Sequence, residues 1–119
     1  MKNYLSFFVF LLVAGSCKNI TNQLPINQFQ QENLENYTLV DVRTPEEFEA
    51  GHLDNAININ WYDTDFTEKV GVLDKEHTIY VYCKKGGRSA KAQAVLDSLG
   101  FRAVDLTGGY DVIAGSEED

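Results

Sequence analysis

The chemistry of this chain is concentrated in one stretch, Cys83-Lys84-Lys85-Gly86-Gly87-Arg88-Ser89. The cysteine ends an apolar run, Thr78-Ile79-Tyr80-Val81-Tyr82, whose β-branched and aromatic residues read as a buried strand. Helical spacing then begins at Ser89 and continues to Leu99. The thiol is thereby placed in a tight strand-to-helix loop, where backbone N–H groups can turn inward and a helix N-terminus supplies partial positive charge. These features favour the nucleophilic thiolate over the thiol. The competing reading is a structural cysteine buried at a strand end. Such cysteines sit among apolar neighbours, and Lys-Lys-Gly-Gly-Arg directly after this one argues for the reactive reading.

Loop length narrows the reaction. Cysteine-dependent tyrosine phosphatases need five residues between cysteine and arginine to cradle a tetrahedral oxyanion. Here four residues, Lys84 to Gly87, separate Cys83 from Arg88, and Ser89 occupies the position the longer spacing would give to arginine. A smaller ring of N–H groups suits a compact ligand, such as one extra sulfur on Cys83.

On these residues the chain resembles the rhodanese-like domains, whose active loop is of this short cysteine-to-arginine type. A second segment carries the resemblance further: Leu39-Val40-Asp41-Val42-Arg43-Thr44-Pro45-Glu46-Glu47-Phe48-Glu49-Ala50-Gly51-His52-Leu53 is similar to the family signature in which a strand ending in Asp-Val-Arg leads into a short helix and then Gly-His-Ile/Leu. Its local physics agrees. Thr44 suits the N-cap, Pro45 the first helical position, and Glu47 completes a capping box, with Gly51 as the stop. A third segment, Val104-Asp105-Leu106-Thr107-Gly108-Gly109-Tyr110, is similar to the family's last strand and double-glycine turn; Val112-Ile113-Ala114 stands where many members carry a tryptophan. The three occur in the family's order and cover about residues 24–115.

The elements needed to hold the loop can be read around it. Asn27 and Gln30 suggest a capped short helix through Phe29 and Leu34. Strands are expected at 37–42, 56–59, Thr78–Tyr82 and 102–106, with helical segments between. In the helix after the loop, Ala92, Val95, Leu96 and Leu99 recur with helical spacing, so one stripe should pack on the sheet, and Gly100 is a suitable stop. The expected fold class is α/β: a rhodanese-like domain with a parallel-dominated central sheet flanked by helices, its loop at the carboxyl end of a strand where open α/β sheets bind ligands.

The resemblance implies a sulfurtransferase that carries a sulfane sulfur on Cys83, taken from a small anionic donor such as thiosulfate or from a persulfide and passed to a thiol or cyanide. Lys84, Lys85, Gly86, Gly87, Arg88 and Ser89 would form the persulfide-binding loop; Arg88 would shape it and meet an anionic donor, and the two lysines would tune donor choice. Asp41, Arg43 and His52 are signature positions whose expected role is structural. His52 follows a helix-ending glycine and is expected to be architectural, because a thiolate at a helix N-terminus needs no base. His77, in the polar turn Asp74-Lys75-Glu76-His77, reads as surface. Two distant histidines and one available cysteine make no metal site, and no cofactor is expected. Two other functions stay open: a thiol-based phosphatase or arsenate reductase, and a non-enzymatic rhodanese-like binding module.

Composition bounds the rest. The 119 residues, 44% of them hydrophobic, are enough for one core. A net charge of −8 argues against nucleic acid as a partner. Within that acidic background, Lys84, Lys85, Arg88 and Lys91 form a basic cluster expected to attract an anionic sulfur donor.

The N-terminus carries a separate signal. Lys2 precedes an apolar run at residues 5–14, too short to span a bilayer and suited to a secretory signal peptide. Ala14-Gly15-Ser16-Cys17 resembles a bacterial lipobox, which implies a lipoprotein signal at residues 1–16, lipidated Cys17 opening a tether at 17–24, and a domain at 25–119. The expected address is the cell envelope, lipid-anchored and facing the periplasm or exterior. Lys18 after Cys17 favours the outer membrane in a Gram-negative cell. The alternative is a secreted chain with a free or disulfide-bonded Cys17.

Overall fold

The computed structural model describes residues 22–118. Five strands form one sheet: β1 (Gln23–Pro25), β2 (Tyr37–Asp41), β3 (Ile57–Asn58), β4 (Thr78–Tyr82) and β5 (Arg102–Thr107). They lie in the order β1-β5-β4-β2-β3, and every pairing is parallel. The helices are α1 (Pro45–Ala50), α2 (Phe66–Gly71), α3 (Gly87–Ser98) and α4 (Tyr110–Glu118). This is the α/β sheet the sequence implies, because parallel neighbours need crossovers and the crossovers cover both faces.

Alternation along the strands sorts the core into two layers. Val40, Val42, Ile79, Val81, Cys83 and Ala103 face one side, where Phe66 and Val70 of α2 and Ala92 and Leu96 of α3 close over them. Val95 and Leu99 complete the α3 stripe from a half-buried position. Leu39, Tyr82 and Leu106 face the other side, packed with Ile26, Leu53, Tyr110 and Ile113. Registers of Asp41 with Tyr82 and of Val81 with Asp105 bring the carboxyl ends of β2, β4 and β5 together.

Three details differ from the sequence reading. The segment after Pro25 is two 3₁₀ turns, Ile26–Gln28 and Gln31–Asn33, without a side-chain cap at either N-terminus, instead of one helix capped by Asn27. Its backbone is extended at Phe29, which lets that ring lie 4.9 Å from the Tyr80 ring. Residues Gln23 and Leu24, read as tether, pair with Asp105 and Leu106 as edge strand β1. Three residues ending in proline carry no alternation to read, and a proline is tolerated at a sheet edge. Helix α3 starts two residues earlier than expected, at Gly87, so the loop itself supplies its first turn. The lipobox, Cys17 and most of the tether lie outside the described residues.

Candidate active site

Cys83 follows the last residue of β4 directly and is 1% exposed. Its sulfur accepts the N–H of Gly86 at 3.0 Å and that of Ser89 at 3.4 Å. Gly86 is the N-cap of α3 with φ of +122°, a value L side chains rarely adopt, and this turn aims its N–H back at the sulfur. Two donors and a twelve-residue helix opening beside the sulfur make the pocket a receptor for negative charge. Cys83 thus belongs to the apolar layer yet meets two N–H donors at its sulfur, which a purely structural cysteine would not need.

Beneath the sulfur lies a side-chain relay. The Cys83 thiol is 3.5 Å from Ser89 Oγ, and Ser89 Oγ donates to Asp105 Oδ1 at 2.6 Å. Ser89 is fully buried and Asp105 nearly so; burial pushes the Asp105 carboxyl up, against the Ser89 hydrogen bond. Asp105 stood within a recognisable motif, but its inward direction became visible only with the register of β5.

Arg88 is bonded to α1. Its guanidinium donates to Glu47 Oε1 at 2.8 Å and Oε2 at 3.3 Å, and lies 5.6 Å from the Tyr62 ring centre. Glu47 also closes the capping box, accepting the Thr44 N–H at 2.9 Å while its own N–H donates to Thr44 Oγ1. One carboxylate therefore ties the Cys83 loop to the start of α1. The Arg88 hydrogen bond foremost holds the Glu47 carboxyl down to about 2. Its folded value lies below the ordinary 4.5, so its contribution is complete above about pH 4.5 and is lost as pH falls toward 2. Glu47→Gln should therefore lower the thermal midpoint at neutral pH and flatten its acid dependence between those two values. Thermal unfolding of both proteins across that range checks this.

The signature residues form the frame. Arg43 makes a buried bidentate pair with Asp41, Nη2 to Oδ2 at 2.7 Å and Nε to Oδ1 at 2.9 Å. The same Nη2 donates to the Gly51 carbonyl at 2.7 Å, where α1 ends, and the guanidinium lies 4.4 Å from the Tyr110 ring centre. His52 stacks on Phe48 with centroids 3.7 Å apart, and its Nδ1 donates to the Phe48 carbonyl at 2.8 Å. It sits on the end of α1 and outside the Cys83 loop's hydrogen bonds. Half-buried His77 contacts Thr38 Oγ1 at 2.9 Å, a bond across to β2 that the sequence did not suggest.

The double-glycine turn reaches the loop from the other side. Tyr110 N–H donates to the Cys83 carbonyl at 2.7 Å and Asp111 N–H to the Lys84 carbonyl at 3.1 Å. Lys84 and Lys85 both bond the Asp111 carboxylate, at 3.0 and 2.9 Å. The expected basic cluster is therefore partly compensated: Asp111 is shared by the two lysines, and Glu47 answers Arg88. A cavity of about 310 Å³ opens beside the loop between Arg43, Glu47, Lys84, Tyr110 and Asp111. Sequence reasoning gave no role to Glu47 beyond its cap, and none to Asp111, whose only signal was its place after Gly108-Gly109-Tyr110.

A buried cysteine cradled by backbone N–H groups at the carboxyl edge of a parallel sheet defines a class of cysteine-loop α/β domains. Residues 27–116 match the rhodanese-like domain. The chain belongs to this family. It is 36% identical over 75 residues to thiosulfate sulfurtransferase PspE of Escherichia coli, covering 63% of this chain and 72% of that one. It is also 39% identical over 92 residues to the chloroplastic thiosulfate sulfurtransferase 16 of Arabidopsis thaliana, covering 68% and 77%. Among solved structures, the rhodanese-related protein of Thermoplasma volcanium superposes with a TM-score of 0.61 at 38% identity, covering 74% of this chain and 84% of that one. The rhodanese-like domain protein of Staphylococcus aureus gives 0.66 at 27%, covering 75% and 87%. The family is thus a rhodanese-type sulfurtransferase family.

Proposed function

We propose that this protein is a sulfurtransferase that moves a sulfane sulfur through a persulfide on Cys83. The observation that carries this reading is the pair of N–H groups, from Gly86 and Ser89, aimed at the sulfur from the first turn of α3. The Cys83 thiolate attacks the outer sulfur of a donor such as thiosulfate; the S–S bond of the donor breaks and sulfite leaves with the electron pair. The outer sulfur of the resulting persulfide is then attacked by cyanide or a thiolate acceptor, and Cys83 departs as thiolate. Two half-reactions through a covalent intermediate give ping-pong kinetics. Names of the relatives support thiosulfate as a donor class.

Intact mass after incubation with thiosulfate tests this. One added sulfur, about 32 Da, should appear and be removed by cyanide. A chain that never gains it from thiosulfate or a persulfide would leave the binding module as the better reading. Robust hydrolysis of aryl phosphates would instead overturn the argument from loop length.

The address is a separate proposal. Ala14-Gly15-Ser16-Cys17 after an apolar run supports processing at Cys17 and a lipid anchor in the cell envelope. In a bacterial host the mature chain should partition into detergent and incorporate labelled fatty acid, and Cys17→Ala should abolish both. A mature N-terminus elsewhere would favour an ordinary secreted protein. A chain beginning near Thr21 retains β1 and should keep full activity.

A further inference from the structure

We propose that Asp111 is a specificity-determining residue, which lowers the positive charge at the mouth of the Cys83 loop and turns selection away from small multiply charged anions toward sulfur carriers of low net charge. This deepens the proposed function and rests on it for the sulfur carriers, though not for the electrostatics. Lys84 Nζ and Lys85 Nζ sit 3.0 and 2.9 Å from different oxygens of the one carboxylate, so both loop lysines share a single counter-charge. The two ammonium groups hold the Asp111 carboxyl below the ordinary carboxylate range, Lys85 foremost, and so keep it ionised.

The arrangement is built into the fold. Asp111 N–H donates to the Lys84 carbonyl, and Tyr110 N–H to the Cys83 carbonyl, so the first turn of α4 is docked on the loop by its backbone. The carboxylate is thereby delivered to the lysines by the backbone of that turn. Exposed ion pairs add little to stability. Their effect on a passing anion is different: a fixed unit charge beside the loop acts on every charge that approaches Cys83, within the reach set by salt. Glu47, which also lines the cavity, repeats the pattern by answering Arg88. A mouth that alternates in sign accepts a carrier with both charges or neither more readily than a compact dianion.

Asp111→Asn removes the charge and keeps the shape, and the two backbone hydrogen bonds do not depend on the side chain. The test uses the full-length chain carrying Cys17→Ser, so that Cys83 is the single thiol. Its alkylation is measured with anionic iodoacetate and neutral iodoacetamide, with and without Asp111→Asn. At low ionic strength the variant should react about threefold faster with iodoacetate and within about twofold of the parent with iodoacetamide, and the difference should vanish near 1 M salt. The KM for dianionic thiosulfate should fall about tenfold with kcat unchanged. Equal changes with both reagents would mean that Asp111 merely props the loop, and no change with either would mean that its charge does not reach the thiol; each result overturns the proposal. If no donor ever loads Cys83 yet the iodoacetate selectivity rises, sulfur transfer fails as a function and the control of charge by Asp111 stands.

Discussion

Cys83→Ser should gain no mass from thiosulfate and should lose thiosulfate:cyanide turnover by three orders of magnitude or more. The size of the loss follows from the kind of catalysis. In covalent catalysis the nucleophile has no substitute, and what remains after its removal is binding and electrostatics with nothing to attack the donor. Serine preserves the volume and can still accept the Gly86 and Ser89 N–H groups that now reach the sulfur. The fold should therefore survive, with a thermal midpoint close to the parent's, so that lost turnover reports chemistry alone. Sulfite release in the first half-reaction should vanish along with thiocyanate production in the second. Release of sulfite without Cys83 would place the nucleophile elsewhere and remove the central role given to this loop.

Where the sequence was legible, local chemistry was strong. Thr78–Tyr82 is β-branched or aromatic at every position and has the bounds expected of it, because a strand covered on both faces leaves an unbroken run. The Thr44-Pro45-Glu47 cap was equally readable, since every partner lies within three residues. What stayed hidden depends on chain segments far apart. Gln23–Pro25 becomes a strand only because β5 offers an edge to it. Glu47 meets Arg88 across 41 positions, and Lys84 and Lys85 meet Asp111 across 27 and 26, so a loop that reads as strongly basic in sequence is partly neutralised in space. Charge can be counted from composition; its compensation can be seen only after folding.

Gly109→Ala should injure the site more than any other change of one methyl group. Gly109 has φ of +78°, where an L side chain pays steric strain on the order of 1 kcal/mol. That term alone would be tolerable. The larger one is contact: a Cβ at this position would overlap the Lys84 carbonyl and lie 2.7 Å from the Lys85 N, both backbone atoms with no side-chain freedom to relieve the clash. Relief requires the turn to separate from the loop, which breaks the hydrogen bonds from Tyr110 N–H to the Cys83 carbonyl and from Asp111 N–H to the Lys84 carbonyl. The combined loss should reach about 2–4 kcal/mol, within the range of mutations that overpack or strain a backbone. Turnover should fall further than stability implies, by about a hundredfold in folded protein, because misplacing a reacting group by about 1 Å is that costly. Gly71→Ala is the matched control. Nothing lies within 4 Å of its added methyl and Gly71 ends α2, outside the Cys83 loop, so it should be neutral or slightly stabilising. Thermal unfolding and thiosulfate:cyanide turnover of the two variants separate the cases. An active, stable Gly109→Ala protein would show that the turn and the Cys83 loop are not locked together as their spacing demands.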